Sequence, residues 1–253
     1  MKLGVWRRMG SSTKISAGAW LAEAKKRLQH SETPGLEAQL LLARVLSRPR
    51  ASVLAHLDQD LNADQLAQLD GYLVRLEAGE PLPYLLGEQE FYGLKIKVNP
   101  GVLIPRPETE LLVDTALNWL RGHPGKRRAV DIGAGSGCIA AALAAHIPDL
   151  RILAVDNSLA ALHTAKENLS HLGLLERVQL VQSDLLTCIG TPFDLVCANL
   201  PYIPTEVLLG LSVACHEPLS ALDGGVDGLD LIRRLLADAR RWTAPGGLLL
   251  LEI

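Results

Sequence analysis

Residues 129–146 read AVDIGAGSGCIAAALAAH. Ala129-Val130-Asp131-Ile132 reads as a short strand, Gly133-Ala134-Gly135-Ser136-Gly137 as a turn, and Cys138–His146 as a helix rich in alanine. The same alternation continues downstream. Arg151–Val155 is the next strand and ends at Asp156; Ser158 caps a helix running to about Leu172. Val178–Val181 is a third strand, followed by Ser183-Asp184, and Phe193–Ala198 is a fourth. Gly228–Trp242 reads as a helix, and Leu248–Ile253 begins a fifth strand. Strands alternating with helices predict an α/β fold, a parallel sheet doubly wound by helices on both faces. Ligands of such sheets sit beyond the carboxyl ends of the strands.

One of those ends has unusual chemistry. Residues 193–204 read FDLVCANLPYIP. The apolar run stops at Asn199, and Pro201 and Pro204 carry the backbone stiffly out of the sheet. Asn199-Leu200-Pro201-Tyr202 then presents an amide, directed carbonyls and an aromatic ring. That set suits the holding of a flat –NH2 group. The Asn199 side-chain oxygen and the Leu200 carbonyl accept its two N–H bonds, and Tyr202 lies on its face. Acceptors out of plane draw an amide nitrogen toward tetrahedral geometry and aim its lone pair at an electrophile, with no strong base required. The plainer reading is an ordinary strand-end turn, where Asn and Pro are common. Taken alone, the tetrapeptide does not separate the two.

A glycine-rich turn after the first strand and an acid ending the second mark a site for an adenosine-bearing cofactor. A P-loop requires Gly-Lys-Ser/Thr, which is absent here, and a dinucleotide fingerprint requires a third glycine where Cys138 stands. The spacing is G-x-G-x-G, with Asp131 two residues before the first glycine. It resembles the S-adenosyl-L-methionine site of class I methyltransferases.

The 253 residues are 48% hydrophobic and 21% charged, enough for one large domain and a small one. A net charge of −3 does not call for a polyanionic partner. Cys138, Cys188, Cys197 and Cys215 form no CxxC pair and no zinc spacing, so reduced and mostly buried thiols are expected, with no metal. The opening MKLGVWRRMGSSTK lacks an apolar core of signal-peptide length, and no run reaches a membrane span; a cytoplasmic monomer is the expectation.

Up to about Gly79 the pattern is helical. Ser16 stands before Trp20, Leu21, Ala24 and Leu28 on one face; Thr33-Pro34 opens a second helix; Asn62 precedes Leu66, Leu69, Leu73 and Leu76. Lys25, Lys26, Arg27, Arg44, Arg48 and Arg50 read as a solvated face. Glu88–Tyr92 and Leu94–Val98 flank Gly93 as a β-hairpin. Pro107, Glu108 and Glu110 then open a helix, where acids complement the dipole. An alternative is that Arg106 and this turn close over an amino-acid-like ligand end. The resulting division is a helical domain over residues 1–80, a hairpin linker over 81–106 and a cofactor domain over 107–253. His123, His146, His163, His171 and His216 have no acidic partner at telling spacing and read as surface residues.

With these motifs in place, the chain resembles the PrmC/HemK family, bacterial methyltransferases that modify a glutamine in peptide chain release factors. GEQEFYGLKIKVNPGVLIPRPETELL is similar to that family's linker, VDIGAGSGCIAAALA to its cofactor loop, AVDNSLAAL to its ribose-binding strand and NLPYIP to its substrate loop. The resemblance implies a Rossmann-like sheet with a small N-terminal helical bundle and a linking β-hairpin, and cofactor contacts from Gly133, Ala134, Gly135, Ser136 and Gly137. It implies that Asp156 holds the ribose, that Asp184 and Leu185 flank adenine, and that Asn199, Leu200, Pro201 and Tyr202 grip the target amide. Asn199 and Tyr202 are the implied catalytic pair. Leu200 stands where the family usually has Pro, and a backbone carbonyl is supplied by either. Asn-Leu-Pro-Tyr also occurs in rRNA adenine dimethyltransferases, so adenine-N6 methylation of nucleic acid is the alternative, and a cofactor-binding module without turnover is another. The linker, the helical domain and the lack of a basic surface favour the protein substrate, with no direct nucleic-acid binding expected. Family members continue with two further strands; here the expectation is a truncated chain whose last strand is an exposed, adhesive edge.

Overall fold

The computed structural model describes residues 14–253, and the chain divides into two units, Met1–Leu86 and Gly87–Ile253. Most of the opening stretch read for a leader, residues 1–13, lies outside the described residues.

The first unit contains β1 (Ile15–Ser16), α1 (Ala17–Arg27), α2 (Pro34–Leu46), α3 (Arg50–Leu54), β2 (Asp60–Leu61), α4 (Ala63–Glu77) and α5 (Leu82–Leu86). Local chemistry sets the ends of its helices. The Ser16 hydroxyl accepts from the Ala19 N–H at 3.2 Å. Asn62 and Gln65 exchange side-chain-to-backbone bonds of 2.8 and 3.0 Å, a reciprocal capping box. Trp20, Leu21, Ala24 and Leu28 pack with Leu41, Leu42, Leu69 and Leu73 into one core. Two expectations change. The unit is not wholly helical, because β1 and β2 pair antiparallel through Ile15 and Leu61. Arg27 does not join the solvated face: its side chain is 16% exposed and bridges Asp70 at 2.9 Å and Glu77 at 2.7 Å. It ends α1 beside α4, where two carboxylates offset the desolvation of its charge.

The second unit opens with the hairpin β3 (Glu88–Phe91) and β4 (Leu94–Lys97), followed by α6 (Thr109–Gly122). Tyr92 and Gly93 both adopt positive φ in the two-residue turn, as a primed hairpin turn requires. Then come β5 (Arg128–Ile132), α7 (Cys138–His146), β6 (Arg151–Asp156), α8 (Leu159–His171), β7 (Val178–Gln182), β8 (Phe193–Asn199), α9 (Thr205–Leu208), α10 (Asp230–Ala237), α11 (Ala239–Trp242) and β9 (Thr243–Glu252). The five parallel strands lie in the order β7-β6-β5-β8-β9, the doubly wound arrangement the alternation predicts. Order reverses between β5 and β8, so the crevice for a ligand falls beyond their carboxyl ends.

Here too the structure adjusts the sequence reading. The helix expected over 228–242 breaks at Asp238, between α10 and α11. The last strand begins earlier, since Thr243 pairs with Phe193 and Leu248 with Leu195, with a bulge between. β9 is an edge strand whose Leu248–Leu251 are half-buried. Cys138 and Cys197 are buried, but Cys188 and Cys215 are exposed. Among the described residues no helix is long and apolar enough to cross a membrane.

Candidate active site

The glycine turn is built by short-range backbone bonds. The N–H groups of Gly133 and Ala134 donate to the Val155 carbonyl at 2.8 and 2.9 Å, and Gly137 N–H donates to the Ala134 carbonyl at 2.7 Å. Gly133, Gly135 and Gly137 all have positive φ. They do different work. A Cβ on Gly133 would stand 3.2 Å from Leu200 Cδ2, and one on Gly137 would stand 3.1 Å from the Ala165 Cβ of α8. A Cβ on Gly135 would meet nothing closer than 3.9 Å, because that glycine faces open space. Long-range polar contacts then tie the turn down. Buried Asn168 of α8 donates to the carbonyls of Ser136 at 2.9 Å and Lys97 at 3.0 Å, and accepts from Lys97 N–H at 2.7 Å.

Beyond the turn lies a cavity of about 710 Å³, counted out into the open solvent at its mouth. Gly133 and Gly135 form one wall, Asp156 and Ser158 another, and Ser183, Asp184 and Leu185 a third. Asn199, Leu200 and Pro201 close the side nearest β8. Ala134, Ser136 and Gly137 do not line it; they shape the turn from behind. The Asp156 carboxylate accepts from Gly135 N–H and Ser158 N–H, each at 2.8 Å, one bond per oxygen. Each oxygen retains a lone pair for a further donor. Asp184 accepts from Arg234 at 2.6 Å, and Leu185 adopts φ of 50°, a left-handed conformation rare for its type.

Asp131, on β5 behind the turn, is fully buried. Its Oδ2 accepts from Ala140 N–H at 3.0 Å, capping α7 from a distance, while Oδ1 has no partner. Burial pushes its carboxyl up to about 7, against the lowering effect of the Ala140 bond, and the Asp156 charge adds to the rise.

At the end of β8, Asn199 Nδ2 donates to the Thr109 hydroxyl at 3.1 Å. Tyr202 is 39% exposed and faces a second cavity, of about 450 Å³, together with Arg106 and Glu252. Asn199, Leu200 and Pro201 belong to the walls of both cavities. Burial first, and the Glu252 charge second, raise the Tyr202 phenol above its ordinary range, which keeps it neutral. Close packing braces this corner. A Cβ on Gly228 would lie 2.2 Å from the Tyr202 carbonyl oxygen, and Ile203 N–H donates to the Leu222 carbonyl at 3.1 Å. Arg106 pairs with the buried carboxylate of Glu217 at 2.5 Å, and Ile104 N–H donates to the same carboxylate at 3.0 Å.

Sequence reasoning did not single out Thr109, Asn168, Glu217 or the 101–103 and 218–221 segments that complete the cavity. A threonine inside PRPETE and a glutamate far downstream give no local sign of their contacts. None of the five histidines considered lines either cavity.

The donor set fits S-adenosyl-L-methionine. Asp156 offers acceptors for vicinal hydroxyls, Leu185 and Val155 offer apolar walls, and the space before Gly135 is free of side chains. Comparison with known proteins agrees. Residues 19–87 match the PrmC N-terminal domain, and residues 107–208 match the Methyltransferase small domain. The chain is 43% identical over 242 residues to a release factor glutamine methyltransferase of Gloeobacter violaceus, covering 94% of this chain and 84% of that one. It is 39% identical over 235 residues to the protein of the same name from Escherichia coli, with 92% and 84% covered. Among solved structures it is similar to the hMettl16 catalytic domain in complex with a 3'UTR hairpin. That likeness has a TM-score of 0.50 and 23% identity, covers 65% of this chain and 62% of that one, and shows the shared fold.

Proposed function

This chain belongs to the release factor glutamine methyltransferase family, and from that membership we propose that it transfers a methyl group from S-adenosyl-L-methionine to the side-chain amide N5 of a glutamine in a peptide chain release factor. The observation that carries the reading is the shared wall: Asn199, Leu200 and Pro201 separate a cavity suited to the cofactor from a second one beside Tyr202. A group gripped at that wall from the second cavity lies next to whatever the first one holds.

Bound S-adenosyl-L-methionine supplies the methyl group on a positively charged sulfur. The residues of the chain do the rest by position. Asp156 takes the ribose hydroxyls on its spare lone pairs, and Asp184 and Leu185 flank the adenine. Gly133 and Gly135 keep the wall before the methionine part free of side chains, while Ala134, Ser136 and Gly137 hold the turn's shape. Asn199 Oδ1 accepts one N–H of the target amide and the Leu200 carbonyl the other, which localises the nitrogen lone pair. Pro201 stiffens the corner and Tyr202 covers the flat face of the amide. No strong base is needed, because the nitrogen becomes acidic only once alkylated; its proton leaves to water. The working location is the cytoplasm, and the chain acts as a monomer on its protein substrate.

The test is transfer from label-bearing cofactor to a purified release factor, to the same factor with its target glutamine replaced, and to RNA. Label on the first substrate alone supports the function. Label on RNA instead points to adenine methylation, and cofactor binding by calorimetry without transfer points to a module without turnover.

A further inference from the structure

An acceptor at position 199 works only if the carboxamide presents its oxygen. Asparagine is nearly symmetric in shape, and a half-turn about its last bond exchanges O for NH2. A flipped Asn199 would point two N–H donors at the –NH2 of the target, replacing attraction with repulsion. Something must therefore hold its nitrogen end.

Thr109 stands where that hold is required. It is the first residue of α6 and is 3% exposed. Its hydroxyl oxygen accepts from Asn199 Nδ2 at 3.1 Å across ninety positions of sequence. Its own N–H donates to the Arg106 carbonyl at 3.1 Å, which anchors the helix start to the turn that Arg106 and Glu217 secure. We propose that Thr109 is a positioning residue for catalysis: its hydroxyl accepts from Asn199 Nδ2 and tethers the carboxamide at the end of β8, leaving Oδ1 for the acceptor amide. The role rests on the methyl-transfer reading above. Thr109 lines neither cavity and acts only through Asn199.

The chemistry separates this role from simple packing. Thr109→Val keeps the shape and removes the hydroxyl, so Asn199 Nδ2 loses its partner and the carboxamide loses its tether. Thr109→Ser keeps the hydroxyl and sheds a methyl group. If Thr109 merely fills space, Ser is the worse substitution; if it tethers Asn199, Val is.

The experiment measures kcat and KM for a release factor, and calorimetric cofactor affinity, for the full chain and both variants. Thr109→Val is expected to lower kcat by about ten- to hundred-fold, with cofactor affinity changed less than about threefold. Thr109→Ser is expected to stay within about threefold of the parent in both. Thr109→Ala, which also lacks the hydroxyl, gives the same reading if the Val variant does not fold. Equal losses in Val and Ser, or a Val variant with full kcat, overturn the role while leaving the function standing. Absence of transfer by the parent chain overturns both.

Discussion

Burial holds the Asp131 carboxyl up to about 7, from 3.8, and the group has one hydrogen bond where two oxygens need partners. The sign of the consequence follows from proton counting. Between pH 3.8 and about 7 the folded chain keeps a proton that the unfolded chain has lost, so stability falls as pH rises through that window. Above the upper limit the loss is complete. Asp131→Asn cannot titrate and removes this slope. Urea unfolding across pH 4 to 8 is expected to show a parent curve that declines with pH by about 4 kcal/mol at most, and a flatter curve for the variant. Parallel curves for the two proteins would refute the assignment. Burial first, and the Asp131 charge second, act on two thiols nearby: Cys138, which opens α7, is pushed up to about 12, and Cys197 of β8 well above its ordinary range.

At the scale of elements, the glycine turn divides its labour. Gly133 and Gly135 face the cavity, whereas Gly137 lets α7 approach α8. Its φ of 78° disfavours any side chain, and a Cβ there would press on the Ala165 Cβ at 3.1 Å. Gly137→Ala is expected to lower unfolding free energy by about 1–3 kcal/mol in denaturant titration; an unchanged midpoint would contradict the packing role. The G-x-G-x-G spacing therefore told where the turn lies but not which of its glycines line the cavity. Strands and helices of the second unit were legible because each carries its period and stop signal locally: Asp156 and Ser158 end one element and start the next. The break at Asp238 was not, since helical spacing continues through it and only the return to Thr243 and Phe193 ends it.

For the whole molecule, the part of the site that local pattern could not reveal is the part assembled at long range. Thr109 meets Asn199, Asn168 meets Lys97, and Glu217 meets Arg106, each pair far apart in sequence. The NLPY corner was legible because two prolines stop a buried strand at a polar residue. Its support was invisible, being supplied by α6 and by the 222–228 segment. The account stands on that corner and on what Asn199 does there. Its most direct test is methyl transfer to a release factor by Asn199→Ala at saturating cofactor. Turnover is expected to fall by about a hundredfold or more with calorimetric cofactor affinity nearly intact. Turnover close to that of the parent chain under the same saturation would contradict the account.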